Sequence, residues 1–299
     1  MKLCIYIIFL FYSLPVCLFS KGGVENIRLE RIDNNILPED TVGVHDLIFF
    51  FLEASNTSIT KDGKTKASVV TEQGGEITKE VGGINPRIVV EDVSTNIVKF
   101  TSGYPSSQPK WSPNGEWLAY CRMPPLPGKF FRGRQTYGDD ELWTWKEGQN
   151  GKLLTPGLSV SDFFWTPNSK TILFDAASEK GKSLVKSLMT VDVLNGTLNE
   201  IDEISGFTCV GYSLSPDGSM VAYVKVLKEE LHTEWMPVES DVYVVNIDGS
   251  GKKRLARTDE VETYLKWLPN NKILVEQWKL DMTEGGLKDR EYVYYILEK

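Results

Sequence analysis

Four stretches of the chain repeat one tight turn between two strands, and a self-similar turn at near-constant spacing leaves few architectures open. They read SSQPKWSPNGEWLAYCR from Ser106, VSDFFWTPNSKTILFDA from Val160, GYSLSPDGSMVAYVK from Gly211 and TYLKWLPNNKILVEQWK from Thr263. The turn prolines Pro113, Pro167, Pro216 and Pro269 recur about every 50 residues, the length of one strand-rich unit in a repeat protein. Proline presets one turn dihedral, and the Asn-Gly or Asp-Gly after it supplies positive φ. Pro113-Asn114-Gly115 and Pro216-Asp217-Gly218 are therefore strong turns, and Pro167-Asn168-Ser169 and Pro269-Asn270-Asn271 are weaker ones.

Each turn is followed by a short run of β-branched and aromatic residues: Trp117–Cys121, Thr171–Phe174, Met220–Val224 and Ile273–Val275. Third strands are expected at Glu141–Trp145, Leu188–Val193, Val242–Ile247 and Tyr292–Leu297, and fourth strands at Lys152–Thr155, Leu198–Ile201 and Lys253–Ala256. Four antiparallel strands per repeat make a propeller blade. A degenerate blade precedes these, with the apolar run Asp46–Leu52, a third strand at Arg87–Val93 and a fourth at Ile97–Phe100. The expected fold is thus an all-β propeller of four-stranded antiparallel blades, five of them visible, with a sixth left open. The last blade lacks a fourth strand, and Ile27–Ile32 is a free alternating strand. Pairing Ile27–Ile32 with Tyr292–Leu297 would close the ring and remove two exposed edges.

The W-S-P-N-G and L-S-P-D-G turns, with the later D-V-Y-V-V-N-I-D-G-S-G-K-K-R-L strand pair, resemble the WD40-like repeats of the TolB propeller. The resemblance runs from Asp46 to Lys299 and is strongest from Ser106 to Thr258. It implies the fold and names no catalytic residue, since the matching positions are turns and strands. TolB carries an α/β domain ahead of its propeller for which this chain has no room, so a Tol-Pal role is not implied.

Lys2 followed by the apolar stretch Cys4–Phe19 has the flank and length of a secretory signal, short of the ~20 residues a spanning helix needs. Residues 1–20 are expected to be a cleaved signal peptide and residues 21–299 a single propeller domain, periplasmic or secreted, with no membrane span after cleavage. Of the four cysteines, Cys4 and Cys17 leave with the signal, and Cys121 and Cys209 fall two blades apart. They are expected to be unbridged, buried thiols, because a disulfide needs Cα atoms within ~7 Å. The formal net charge is −8, and residues 1–20 contain one cation and no acid. An acidic chain is a poor generic ligand for nucleic acid, so no nucleic-acid partner is expected.

Chemical motifs are sparse. The chain has two histidines, His45 and His232, neither at metal-ligand spacing. It has no G-x-S-x-G elbow, no phosphate-binding glycine loop and no assignable Ser-His-acid triad. The acidic run Asp139-Asp140-Glu141 alone offers too few oxygens for Ca²⁺. These residues lead to the expectation that the chain is not an enzyme and has no catalytic residue, cofactor or metal.

The connections between second and third strands are long in three blades: Ala54–Pro86, Met123–Asp140 and Leu227–Asp241. Such loops share a propeller face with the connections between blades, and insertions converging on one face mark a binding surface. Ala54–Pro86 reads as flexible. Met123–Asp140 mixes stiff prolines with Phe130, Phe131, Arg132, Arg134 and Tyr137, types enriched at interface hot spots, and Leu227–Asp241 offers His232, Glu234 and Trp235. Trp111, Trp165 and Trp267, each just before its turn, read instead as packing between neighbouring blades. The expected function is an exported non-catalytic scaffold, monomeric, holding an envelope or secreted protein on these loops. The alternatives are a glycan-binding propeller or polysaccharide lyase, or a peptidase-type propeller without its hydrolase domain.

Overall fold

The computed structural model describes residues 27–31, 57–71, 86–103, 106–131, 134–137, 140–180, 183–206, 208, 210–231, 235–256, 260–269, 271–281 and 286–297, among which there are strands and turns and no helix. Strand β1 (Ile27–Arg31) precedes the first blade, which is β2 (Thr57–Ile59), β3 (Thr65–Thr71), β4 (Pro86–Asp92) and β5 (Val98–Thr101). The second is β6 (Ser106–Trp111) and β7 (Leu118–Arg122), an inserted hairpin β8 (Pro125–Phe131) and β9 (Arg134–Tyr137), then β10 (Glu141–Trp145) and β11 (Lys152–Leu153). The third is β12 (Ser159–Trp165), β13 (Thr171–Lys180), β14 (Ser183–Asp192) and β15 (Leu198–Ser205). The fourth is β16 (Tyr212–Leu214), β17 (Met220–Leu231), β18 (Trp235–Asn246) and β19 (Lys253–Ala256). The fifth is β20 (Val261–Trp267), β21 (Lys272–Asp281) and β22 (Gly286–Leu297), completed by β1. The described residues thus form five four-stranded antiparallel sheets, the expected all-β propeller.

The expected closure is present. Strand β1 pairs antiparallel with β22 from Ile27 opposite Leu297 to Arg31 opposite Val293.

The turn between first and second strands has one hydrogen-bond pattern in four blades. A Ser or Thr hydroxyl donates to the Asn or Asp two residues on: Thr60 to Asp62 at 2.7 Å, Ser112 to Asn114 at 2.7 Å, Thr166 to Asn168 at 2.7 Å and Ser215 to Asp217 at 2.6 Å. The same Oδ1 accepts the amide two residues further on, at Lys64, Glu116, Lys170 and Ser219. These side chains do the work of backbone groups that the turn leaves unpaired.

Two sequence expectations are corrected here. Ala54–Pro86 is not a flexible insertion: residues 57–71 within it supply β2 and β3, the first two strands of their blade. Its turn, Thr60-Lys61-Asp62-Gly63, is a copy of the repeated one with Lys61 in place of proline, and Gly63 at φ 73°. Leu227–Asp241 is not a loop: β17 and β18 pair from Met220 opposite Asn246 to Leu231 opposite Trp235. The apolar run Asp46–Leu52 lies outside the described residues.

Period-two alternation sets the core. Along β7, Leu118 and Tyr120 face the first blade with Ala67, Ile88 and Val90, whereas Ala119 and Cys121 face the third with Phe163, Ile172 and Phe174. Both faces are buried, so the strand reads as a continuous apolar run. A third cluster joins blades three, four and five through Leu173, Tyr223, Val244, Leu265 and Ile273. Each Leu, Ile, Val or Phe among them contributes about 1.5–3 kcal/mol of burial.

Candidate functional site

Antiparallel blades place every second-to-third hairpin at the same end as the connections between blades. That end is built up. Strands β13–β14 extend as a ribbon to Lys180 opposite Ser183, β17–β18 to Leu231 opposite Trp235, and β21–β22 to Asp281 opposite Gly286. The second blade adds the β8–β9 hairpin, in which Phe131 lies opposite Arg134, Phe130 opposite Gln135 and Pro125 opposite Tyr137. A ribbon exposed on both sides has no core face to impose strict alternation, so its sequence reads as loop.

Between the third and fourth ribbons lies a cleft of about 390 Å³ lined by Ser183, Leu184, Gly206, Val226, Leu227, Lys228, Glu229 and Trp235. Leu227, Leu231 and Trp235 are 42%, 60% and 41% exposed and are grouped on one ribbon. The cleft is tied at its base, where Glu229 Oε1 accepts the amides of Gly206 at 3.2 Å and Thr208 at 2.9 Å.

A second polar constellation sits where inner strands meet. Lys110 Nζ on β6 donates to Asp162 Oδ1 at 2.6 Å and to the Phe163 carbonyl at 2.7 Å, and it lies 4.6 Å and 4.8 Å from the ring centres of Phe163 and Phe164. Asp175 Oδ1 accepts the Asp162 amide at 3.0 Å and faces the Tyr212 hydroxyl at 3.0 Å. Burial pushes the Asp175 carboxyl above its ordinary range, against the pull of Lys186, and burial also pushes the Tyr212 phenol well up. Both groups are spent on holding blades three and four together. Beside them Lys110, Trp111, Phe164, Trp165, Pro167, Ser213, Leu214 and Ser215 enclose about 400 Å³. Trp165 Nε1 donates to the Lys110 carbonyl at 2.9 Å and Trp267 is 7% exposed, as expected of residues packing between blades.

Of the residues singled out in the sequence, Phe130, Phe131, Arg134 and Tyr137 fall on the β8–β9 hairpin of the second blade and Trp235 on the β17–β18 ribbon of the fourth. Arg132, His232 and Glu234 lie outside the described residues, as do His45, Asp139 and Cys209. Sequence reasoning missed Leu184, Leu227 and Leu231. The signal for Leu227 and Leu231 was two apolar residues among charges in a segment read as loop, and Leu184 lies at the start of β14, outside any segment read as loop. Cys121 is a buried free thiol. Among the described residues no cluster of His, Cys, Asp and Glu could hold a metal ion, and no helix is long and apolar enough to cross a membrane.

No protein-family model matches the chain, and no curated protein matches it. Solved structures do. Oligogalacturonate lyase from Vibrio parahaemolyticus aligns at a TM-score of 0.53, with 13% identity over 81% of this chain and 65% of its own. The β-propeller domain of the Trilobed protease from Pyrococcus furiosus aligns at 0.51, with 14% identity over 82% of this chain and 69% of its own. TolB from Acinetobacter baumannii aligns at 0.37, with 21% identity over 80% of this chain and 53% of its own. The chain therefore spans about two thirds of the length of the lyase. The expectation that this chain is not an enzyme is corrected: a lyase is among the proteins that share its fold, so a propeller with few recognisable motifs does not argue against catalysis. The likeness is one of fold, and that fold is the expected β-propeller.

Proposed function

We propose that the chain is an exported binding module that holds a protein partner on its hairpin face. The observation that carries this is the exposure of Leu227, Leu231 and Trp235 along one ribbon, beside a preformed cleft. Grouped apolar side chains left in water at this cost favour a surface that is covered in use. The β8–β9 hairpin, with Phe130, Phe131, Arg134 and Tyr137, supplies a second contact on the same face. Export rests on Lys2 and the apolar stretch Cys4–Phe19, which makes the partner an envelope or secreted protein. The test is affinity capture of the mature chain from envelope extracts, followed by titration of the recovered partner. Leu231→Ala with Trp235→Ala, and separately Phe131→Ala with Arg134→Ala, should each weaken binding by ~30-fold, the effect of losing ~2 kcal/mol at an anchor. Undiminished binding in both double variants, with folding intact, would defeat the reading.

A further inference from the structure

The guanidinium of Arg122 has no acid on it. Arg122 ends β7 at the hairpin face, three residues before β8 begins at Pro125, and its side chain is half-buried. Its charge lies 4.8 Å from the centre of the Trp143 ring, and its Nε is enclosed without a hydrogen-bond partner. Among the described residues no carboxylate pairs with it. Glu141 stands opposite it in the ladder, but Glu141 Oε1 accepts the Gly157 amide at 3.3 Å. Asp140 acts on the Cys121 thiol, on the other face of β7. Arg254, by contrast, is paired with Asp241.

The fold keeps a place for this guanidinium. Gly103, which follows β5 of the first blade, leaves the space it fills: a Cβ there would lie 2.6 Å from Arg122 Cζ and 2.9 Å from Nε. With Nε enclosed, the edge left for a ligand is the pair of terminal nitrogens, Nη1 and Nη2. Two N–H groups in one plane match the two oxygens of a carboxylate. A half-buried cation without a counter-ion is costly, and the indole ring offsets only part of that cost. One guanidinium supplies one charge, whereas phosphate groups are met by clusters of Arg. An anchor ordered in advance loses less entropy on binding.

We infer that Arg122 anchors an aspartate or glutamate side chain of the protein held on the hairpin face, through Nη1 and Nη2. This inference rests on the hairpin face being the binding face, and it gives the partner an acid at the foot of the β8–β9 hairpin.

The experiment uses the mature full-length chain and a fluorescein-labelled peptide with one glutamate between two phenylalanines, followed by anisotropy. Control peptides carry glutamine or phosphoserine in place of the glutamate. Saturable binding of the first peptide is expected, with the glutamine peptide weaker by ~10-fold and the phosphoserine peptide no tighter; tenfold corresponds to about 1.4 kcal/mol. Arg122→Gln should weaken the glutamate peptide by the same ~10-fold and leave the glutamine peptide unchanged, so that the loss belongs to the pair. Arg122→Lys keeps the charge without the fork and should restore about half of the loss or less. Gly103→Ala keeps Arg122 but displaces its guanidinium, and should cost the glutamate peptide ~3-fold or more. Thermal unfolding of each variant checks that the fold is intact. Equal binding of the glutamine peptide, tighter binding of the phosphoserine peptide, equal loss of both peptides on Arg122→Gln, or no saturable binding of the glutamate peptide below ~1 mM each overturns the inference. Partner capture read in parallel separates the two claims. Capture that fails with Phe131→Ala Arg134→Ala yet is untouched by Arg122→Gln removes this inference alone, whereas capture indifferent to the hairpin and ribbon variants removes the binding face itself.

Discussion

Tyr212→Phe tests whether the polar knot between blades three and four is dry and structural. The substitution keeps the ring, which meets Phe164 edge-on at 5.4 Å between centroids, and deletes only the hydroxyl. That hydroxyl accepts the Asp175 amide at 3.2 Å and lies 3.0 Å from Asp175 Oδ1 and 2.9 Å from the Asp162 carbonyl, either of which can take its proton. Its loss orphans a buried amide and removes a hydrogen bond to a buried carboxylate, for a total of about 2–4 kcal/mol. For a chain of this size that is a fall in Tm of roughly 3–8 °C. Tyr223→Phe is the control. The Tyr223 hydroxyl bonds Asp202 Oδ2 at 2.8 Å, and Asp202 keeps Lys225 and Lys252 when it goes, so about 1 kcal/mol is expected.

The pH dependence of Tyr212→Phe follows from Asp175. Burial raises its pKa in the folded state above the ordinary 3.8, so the native chain takes up a proton more readily than the unfolded one. The stability this group supports therefore declines as pH rises from 3.8 through the raised value. Tyr212 donates to the charged form, and without it that decline steepens. Urea unfolding followed by tryptophan fluorescence should show a larger deficit at pH 7 than at low pH. A deficit below ~0.5 kcal/mol at pH 7, or one equal to that of Tyr223→Phe, would mean that water replaces the hydroxyl and that the knot is open to solvent.

Other expectations are as direct. A mature chain beginning at residue 32 lacks β1 and exposes the edge of β22 from Val293 to Leu297, so light scattering should detect association and calorimetry a broadened transition; a monodisperse, equally cooperative protein would show that β1 does not hold the ring. The Cys121 thiol, buried and with its pKa pushed well up by desolvation, should react with a thiol reagent only after denaturation, and labelling in the native state within minutes would contradict its burial. Asp217, held down to about 2 by the Ser215 hydroxyl and the Ser219 amide and hydroxyl, should titrate near that value by carbon NMR. Its contribution to stability is present above the ordinary carboxylate pKa and fades as pH falls toward 2; titration near 4 would remove the shared turn pattern as its cause.

The parts legible in the sequence were those in which every residue serves one demand. Runs such as Leu118–Cys121 and Ile172–Phe174 are buried on both faces and are apolar or aromatic throughout. The turns at Asn114 and Asp217 need positive φ at the glycine that follows, φ 74° at Gly115 and 71° at Gly218, and say so in their letters. The first two strands of the first blade escaped because their turn has Lys61 where the others have proline, whereas what the turns share is a hydroxyl, here that of Thr60, facing the Asn or Asp two residues on. The ribbons escaped for the opposite reason: Lys228, Glu229 and Glu230 sit in β17 beyond the blade, where hydrogen bonding to β18 needs no apolar face. The cleft was invisible for that reason too, since its walls come from strands that are not neighbours in sequence.

The clasp between β1 and β22 sets a clock on the biogenesis of the molecule. Ile27 cannot meet Leu297 until nearly the whole chain has been made, which at 5–20 residues per second takes on the order of tens of seconds. Blades two, three and four can collapse locally as they emerge, but the final sheet waits for a strand synthesised long before its partner. During that interval β1 has no strand to pair with, and its open edge is the surface a chaperone would have to guard.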